Sequence, residues 1–217
     1  MQENIVNPGA HQNLESRSLI LKSALGLFNE RGTEMTSMND VALASGFSND
    51  EVHLLFKNKK SLIRGLFYEI EVFSVRELWQ ISPANRDVRF SDFMQFYFGS
   101  FAKFRFFFRE FSMLIQQDPI LAHEWRSSYE RLLSIMQEAL NGWIKQGLVK
   151  PFATVKDAEA FIEMMWITAA FSPVHIHARR GKSSPDYIRE VNSYVVKFLY
   201  PYHTEKGQRV LDLFGAN

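Results

Sequence analysis

The sequence predicts an all-α protein: a small N-terminal domain of three helices containing a helix-turn-helix, followed by a larger helical C-terminal domain. Three observations carry this. Apolar residues recur at helical spacing along most of the 217 residues, and no stretch alternates apolar and polar residues over a strand's length between hairpin turns. Residues 36–62 hold two serine-led cap signals on either side of one glycine, the pattern of two short helices joined by a tight turn. The chain beyond residue 119 is long and apolar on more than one helical face.

Residues 1–15 read as a flexible arm. The first helix covers 16–31, with Ile20, Ala24, Leu27 and Phe28 on one stripe and Gly32 as its stop. In the next stretch Thr36 or Ser37 can cap a short helix, and Ser37 has Asp40 at capping-box spacing. Met38, Val41 and Ala42 face inward, and Gly46 can take the left-handed conformation that ends a helix. Ser48, with Glu51 three residues on, caps the second short helix, whose apolar face is Val52, Leu55 and Phe56. In a helix-turn-helix that second helix enters the DNA major groove. The DNA-binding domain is thus 16–62, and 63–217 form the second domain.

A long helix over 58–80 carries Leu62, Leu66, Ile70 and Phe73 at helical spacing and is shared by the two parts, so a signal could pass along it. Ser82-Pro83 and Asn85 read as a turn. From Phe90 to Phe111 the chain places ten of its 20 phenylalanines. Phe90, Phe93, Tyr97, Phe101 and Phe104 fit one face, and Arg105, Arg109 and Glu110 mark the polar side of the next piece. Pro119 opens a helix to about 146, with Leu121, Trp125, Tyr129, Leu132, Met136, Leu140 and Trp143 as its stripe and Gly147 as its stop. Thr154 or Asp157 caps a helix over 155–171. Ala158, Ile162, Met165 and Ala169 are its face, broadened by Phe161 and Trp166, and Pro173 should kink or end it. A loop at 181–185 leads to a last long helix, 185–200, with Tyr187, Val191, Tyr194, Val195 and Phe198 inward. Pro201 ends it, and a short helix over 208–214 closes the chain. These add up to about nine helices. The two wide stripes at 155–171 and 186–199 suggest a helix-pair dimer interface.

Composition narrows the function. There are no cysteines, which removes disulfides and thiolate metal sites. No apolar run approaches bilayer length; the longest candidate, 161–171, is broken by Glu163. The first sixteen residues lack a basic-then-apolar export pattern, which points to the cytoplasm. Net charge is +1, and residues 1–62 hold six Lys or Arg against seven Asp or Glu, so DNA affinity must rest on a few placed cations such as Lys57, Lys59 and Lys60. No Gly-rich phosphate loop, serine elbow or nucleophile-base pair is present, so the protein is not read as an enzyme, and no cofactor or metal is expected. His175 and His177, two apart, do not share a helical face, so His175 is either a pocket hydrogen-bond donor or a surface residue. Arg179, Arg180 and Lys182 are either a solvated loop or an anion contact.

At residues 36–62 the chain resembles the tetracycline-repressor (TetR) family of bacterial transcription regulators. Thr36, Ser37, Met38, Asp40, Val41, Ala42, Gly46, Phe47, Ser48, Val52, Phe56, Lys59 and Leu62 keep the family's pattern in register. Asp50, Glu51, His53 and Leu55 depart from it: a small residue, Thr or Ser, Tyr, and His or Tyr are usual there. The resemblance implies a homodimer whose two helix-turn-helix units read half-sites about 34–36 Å apart on double-stranded operator DNA. It also implies a small-molecule effector bound in the C-terminal domain, which serves for ligand binding and dimerisation. Ser37, Ser48, Asn49, Glu51, His53, Lys57 and Lys59 become the expected DNA-facing residues, Lys59 matching the family's phosphate-contacting lysine and His53 standing where a phosphate-contacting tyrosine is usual. Glu51 either completes its cap or accepts from a cytosine amino group.

The aromatic rings either fill the core or, as the resemblance implies for some, line a cavity. Phe96, Phe104, Phe108, Trp125, Tyr129, Met165, Trp166 and His175 are the expected lining, and their aromatic character predicts an apolar or aromatic ligand. Ala158, Ile162 and Ala169 with Tyr187, Val191, Tyr194, Val195 and Phe198 are the expected dimer interface, a four-helix contact in the family. The reading is a repressor released by its ligand. The alternative is a helical ligand-binding or interaction module whose helix-turn-helix has weak DNA affinity, motivated by Asp50, Glu51 and the local charge.

Overall fold

A computed structural model of the chain describes residues 8–81, 99–180 and 187–215. They form α1 (Pro8–Arg31), α2 (Met38–Ser45), α3 (Asn49–Leu55), α4 (Lys59–Ile81), α5 (Arg105–Gln117), α6 (Pro119–Lys145), α7 (Val155–Arg180), α8 (Tyr187–Leu199) and α9 (Glu205–Gly215). Residues 99–103 are also helical, and a 3-10 turn, Tyr200–Tyr202, follows α8. Among the described residues the only β-structure is a single bridge, Val149 to His203. Two compact units are present, Met1–Ile70 and Glu71–Asn217, and their division falls inside α4.

In the first unit, α1 starts at Pro8, so residues 8–15, expected as an arm, are helical. Proline suits a first turn, where its missing N–H is not needed, and nothing between it and Ser16 breaks the turns. The core joins Ile20, Ala24 and Phe28 to Val41 and Ala42, to Val52 and Phe56, and to Leu62 and Leu66. The Arg17 guanidinium lies over the Phe56 ring, 4.3 Å from its centroid, and donates to the Leu55 carbonyl at 3.3 Å. Arg17 thereby fastens α1 to the end of α3.

In the second unit, Asp118 caps α6 by accepting from the backbone N–H of Ile120 and Leu121, with Pro119 in the first turn. Thr154 and Asp157 cap α7 reciprocally: Thr154 N–H donates to Asp157 Oδ2 at 3.0 Å and Asp157 N–H to Thr154 Oγ1 at 3.2 Å. Helix α7 does not stop at Pro173 but continues to Arg180. An interior proline costs about 3 kcal/mol, and packing beyond it compensates, with Ile176 buried one turn on. The Ser172 hydroxyl also donates to the Thr168 carbonyl next to the interruption.

The last helix likewise starts earlier than its apolar pattern suggests. Thr204 caps it, its Oγ1 accepting from Gly207 N–H at 3.2 Å. The same hydroxyl donates to the Gly147 carbonyl at 2.6 Å, tying α9 to the end of α6. Gly207 is required by this approach, since a Cβ there would lie 2.1 Å from the Leu148 carbonyl oxygen. Overpacking of this kind typically costs about 1–3 kcal/mol. Gly207→Ala is therefore expected to lower the free energy of unfolding by that amount, read as a lower urea midpoint at an unchanged m-value. An unaltered midpoint would show that the contact is slack.

Candidate nucleic-acid interface and effector site

The helix-turn-helix is built by two reciprocal caps and one glycine. At α2, Ser37 N–H donates to Asp40 Oδ2 at 2.8 Å and Asp40 N–H donates back to Ser37 Oγ at 3.1 Å. Thr36, the other candidate cap, is buried and instead donates to the Gly32 carbonyl at 2.8 Å, which closes the turn after α1. Gly46 ends α2 at φ 77°, its N–H reaching the Ala42 and Leu43 carbonyls. At α3, Ser48 N–H donates to Glu51 Oε2 at 2.8 Å and Glu51 N–H to Ser48 Oγ at 3.3 Å. These bonds favour the ionised carboxylates, so Asp40 and Glu51 both sit below the usual carboxylate range.

Several expected DNA-facing residues therefore have a structural duty. The hydroxyls of Ser37 and Ser48 complete caps. Glu51 uses one oxygen, Oε2, for both of its cap contacts. Lys59 is part-buried and donates from Nζ to the Thr33 carbonyl at 2.7 Å, joining α4 to the turn after α1. An ammonium has two further N–H bonds. Asn58 and Ser61 cap α4 in turn, Ser61 N–H donating to Asn58 Oδ1 at 3.0 Å. Asn49, Asp50, Glu51, His53 and Lys57 are exposed on or just after α3, and His53 Nδ1 lies 3.4 Å from the Lys57 carbonyl oxygen. The sequence reading missed Leu54. It is 84% exposed on the outer side of α3, and Leu43 on α2 is 85% exposed. The signal was available: neither residue falls on the inward stripe of its helix.

The second unit brings four of the eight expected ligand residues, Phe108, Trp125, Tyr129 and Trp166, into one aromatic cluster. Phe107, Phe108 and Phe111 on α5 meet Trp125 and Tyr129 on α6 and Trp166 and Phe171 on α7. Trp125 and Trp166 have centroids 5.3 Å apart, and Tyr129 lies 5.7 Å from Trp166. Phe104, Phe108 and Met165 are buried, whereas Trp125, Tyr129 and Trp166 are half-buried. His175 is exposed beside Tyr194, and Phe96 lies outside the described residues.

Of the expected dimer residues, Ile162, Val191 and Val195 are buried within the chain, on two helices, α7 and α8, that pack on each other. Ala158, Tyr194 and Phe198 are half-buried, while the side chains of Ala169 and Tyr187 lie outside the described residues. The sequence shows which residues are apolar at helical spacing but not which apolar face the chain itself covers. The exposed apolar stripe on α7 is a different one: Met164, Ile167, Phe171 and Val174.

A capped helix-turn-helix at the head of a helical domain defines a DNA-binding regulator, and comparison with known proteins agrees. Residues 20–66 match the model of the bacterial regulatory proteins of the tetR family, and residues 76–211 match that of a TetR bacterial transcriptional repressor domain. The chain belongs to the TetR family of transcriptional regulators. Among solved structures it is similar to a TetR-family regulator from Marinobacter aquaeolei VT8, with 23% identity, TM-score 0.78, and 92% of this chain and 97% of that one covered. It is also similar to SmeT, the repressor of the Stenotrophomonas maltophilia multidrug efflux pump SmeDEF, with 19% identity, TM-score 0.59, and 87% and 91% covered. A third is the fatty acid degradation regulator FadR from Bacillus halodurans, with 16% identity, TM-score 0.61, and 85% and 94% covered. No curated protein matches by sequence. At these identities the structures establish the shared fold.

The caps yield a pH prediction. Because the Glu51 carboxyl is held below its unfolded value, its stabilisation of the α3 start is present above the ordinary carboxylate range and is lost as pH falls through the lowered value. A carboxyl titration by NMR is expected to place Glu51 below the ordinary value of about 4.3, and Ser48→Ala to raise it. Identical titrations would mean that the cap does not form in solution.

Proposed function

We propose that the protein represses transcription as a homodimer bound to operator DNA and is released by a small apolar or aromatic ligand. The observation that carries the DNA half is the outward face of α3, where Asn49, Glu51, His53 and Leu54 stand exposed while Val52 holds the helix to its core. On this reading Glu51 accepts from a cytosine amino group through the oxygen its cap leaves over, and Leu54 packs on a thymine methyl. Lys57, Lys60 and the remaining N–H bonds of Lys59 hold phosphates. The ligand half is supported by the half-buried rings of Trp125, Tyr129 and Trp166. A route between the two is supported by α4: its residue Glu71 accepts from Arg131 of α6 at 2.6 Å, and Arg131 lies two residues beyond Tyr129.

A second reading, a helical module of weak DNA affinity, is favoured by Asp50 and Glu51, which pair with no Lys or Arg among the described residues. Selecting bound fragments from the genome of the source organism separates the two. Recovery of a palindromic motif supports the regulator, and recovery of unrelated fragments supports the module. On a recovered motif, Leu54→Ala is expected to abolish the distinction between thymine and uracil at one position per half-site, about 1 kcal/mol. Retention of that distinction would remove Leu54 from the reading.

The dimer is supported by the α7 stripe. Met164, Ile167, Phe171 and Val174 recur at three, four and three residues and are each 38–48% exposed, an apolar surface of the kind that homodimer interfaces cover. Ile167→Asp should convert the dimer to monomer in sedimentation velocity without lowering helix content. A variant that still sediments as a dimer would place the interface elsewhere.

A further inference from the structure

The aromatic cluster of the second unit carries a charge as well as an apolar surface. Tyr129 donates its hydroxyl to Glu163 Oε2 at 2.7 Å, from α6 to α7. Burial, then this hydrogen bond, pushes the phenol above its usual range, so it stays a donor and cannot itself become the anion. Glu163 is exposed, and no Lys or Arg pairs with it among the described residues. Glu159, one helical turn earlier on α7, is exposed as well. Beside these carboxylates lie three rings, Trp125, Tyr129 and Trp166, with all pairwise centroid distances between 5.3 and 5.9 Å. Each ring is part-exposed, so together they form a plate with a reachable surface.

A neutral apolar ligand would use the plate and leave the negative charge of Glu163 beside it unused. An anion would be repelled by the carboxylate and by the negative faces of the rings. An organic cation satisfies both features, since indole and phenol faces attract ammonium charge and the carboxylate supplies the counter-charge. We propose that the Trp125–Tyr129–Trp166 plate, rimmed by Glu163, is a binding site for an organic cation of quaternary ammonium type with an aromatic or apolar body. The proposal rests on the ligand-responsive reading above and narrows the class of ligand. Tyr129 acts as the positioning residue: its bond fixes one carboxylate oxygen beside the rings.

The test is isothermal titration of the full-length protein with three probes of similar shape: benzyltrimethylammonium, its neutral isostere dimethylbenzylcarbinol, and benzylsulfonate. Quenching of tryptophan fluorescence serves as a second readout. The cation is expected to bind about tenfold more tightly than the neutral isostere, and benzylsulfonate more weakly than either. Glu163→Gln keeps an acceptor for Tyr129 and removes the charge, so it should erase most of that tenfold preference and leave affinity for the carbinol unchanged. Equal affinity for cation and carbinol, or a preference that survives Glu163→Gln, would overturn the cation site while leaving an apolar effector in place. Binding of benzylsulfonate alone, or of none of the three, would overturn the cation site too. Motif recovery from genomic DNA is read without any ligand, so failure of the cation site and failure of the regulator reading are separable.

Discussion

A helix of seven residues does not stand alone in water, because nucleation fixes several dihedrals before hydrogen bonds accumulate. The helix offered to DNA, α3, is that short, and α2 has eight residues. Everything about residues 36–62 answers this constraint. Each helix begins with a serine and a carboxylate that satisfy each other's backbone N–H, each buries a valine, and Gly46 turns the chain between them at a positive φ. The same solution recurs where Asn58 and Ser61 start α4 and where Thr154 and Asp157 start α7. Capping of this kind is worth about 1 kcal/mol per helix at typical sites.

That solution has a consequence for DNA. A carboxylate at a helix start suits the helix dipole, yet the same end approaches phosphate in a helix-turn-helix complex. Glu51 holds the cap with one oxygen, which on the proposed reading leaves the other for DNA. Lys59 shows the same doubling, since its ammonium closes the turn after α1 before it can meet a phosphate. The DNA-binding unit thus has little charge to spare, and the proposed function requires its affinity to depend on base contacts by Glu51, His53 and Leu54 more than on a broad positive field. In the second unit Arg131, which donates to Glu71 of α4, shares α6 with Trp125 and Tyr129, so on the proposed reading a ligand at these two rings would act close to the anchor of α4.

The helix-turn-helix was legible in the sequence because its signals are local. Ser37-x-x-Asp40, Gly46 and Ser48-x-x-Glu51 lie within fifteen residues, and each specifies its own geometry. The start of α9 could have been read in the same way from Thr204, a cap candidate standing before Glu205. The extension of α7 through Pro173 was not legible, since local chemistry favours a break there and burial of Ile176 outweighs it. The inward and outward faces of α7 and α8 were not separable either: Ile162 and Ile167 are alike as letters, and only packing buries the first and exposes the second. The same holds for the rings. Phe104 and Trp166 were equal candidates, and the fold buried the first and left the second part-exposed.

The central claim is that this TetR-family chain reads DNA through a few base-directed side chains with few phosphate contacts. The salt dependence of its affinity for a selected DNA motif tests this most directly. Three cations per protomer, Lys57, Lys59 and Lys60, and two protomers predict a plot of log K against log salt with a slope of about −5. The preference for the motif over random DNA should survive as salt rises. A slope near −10, or binding that loses its sequence preference at moderate salt, would contradict the account.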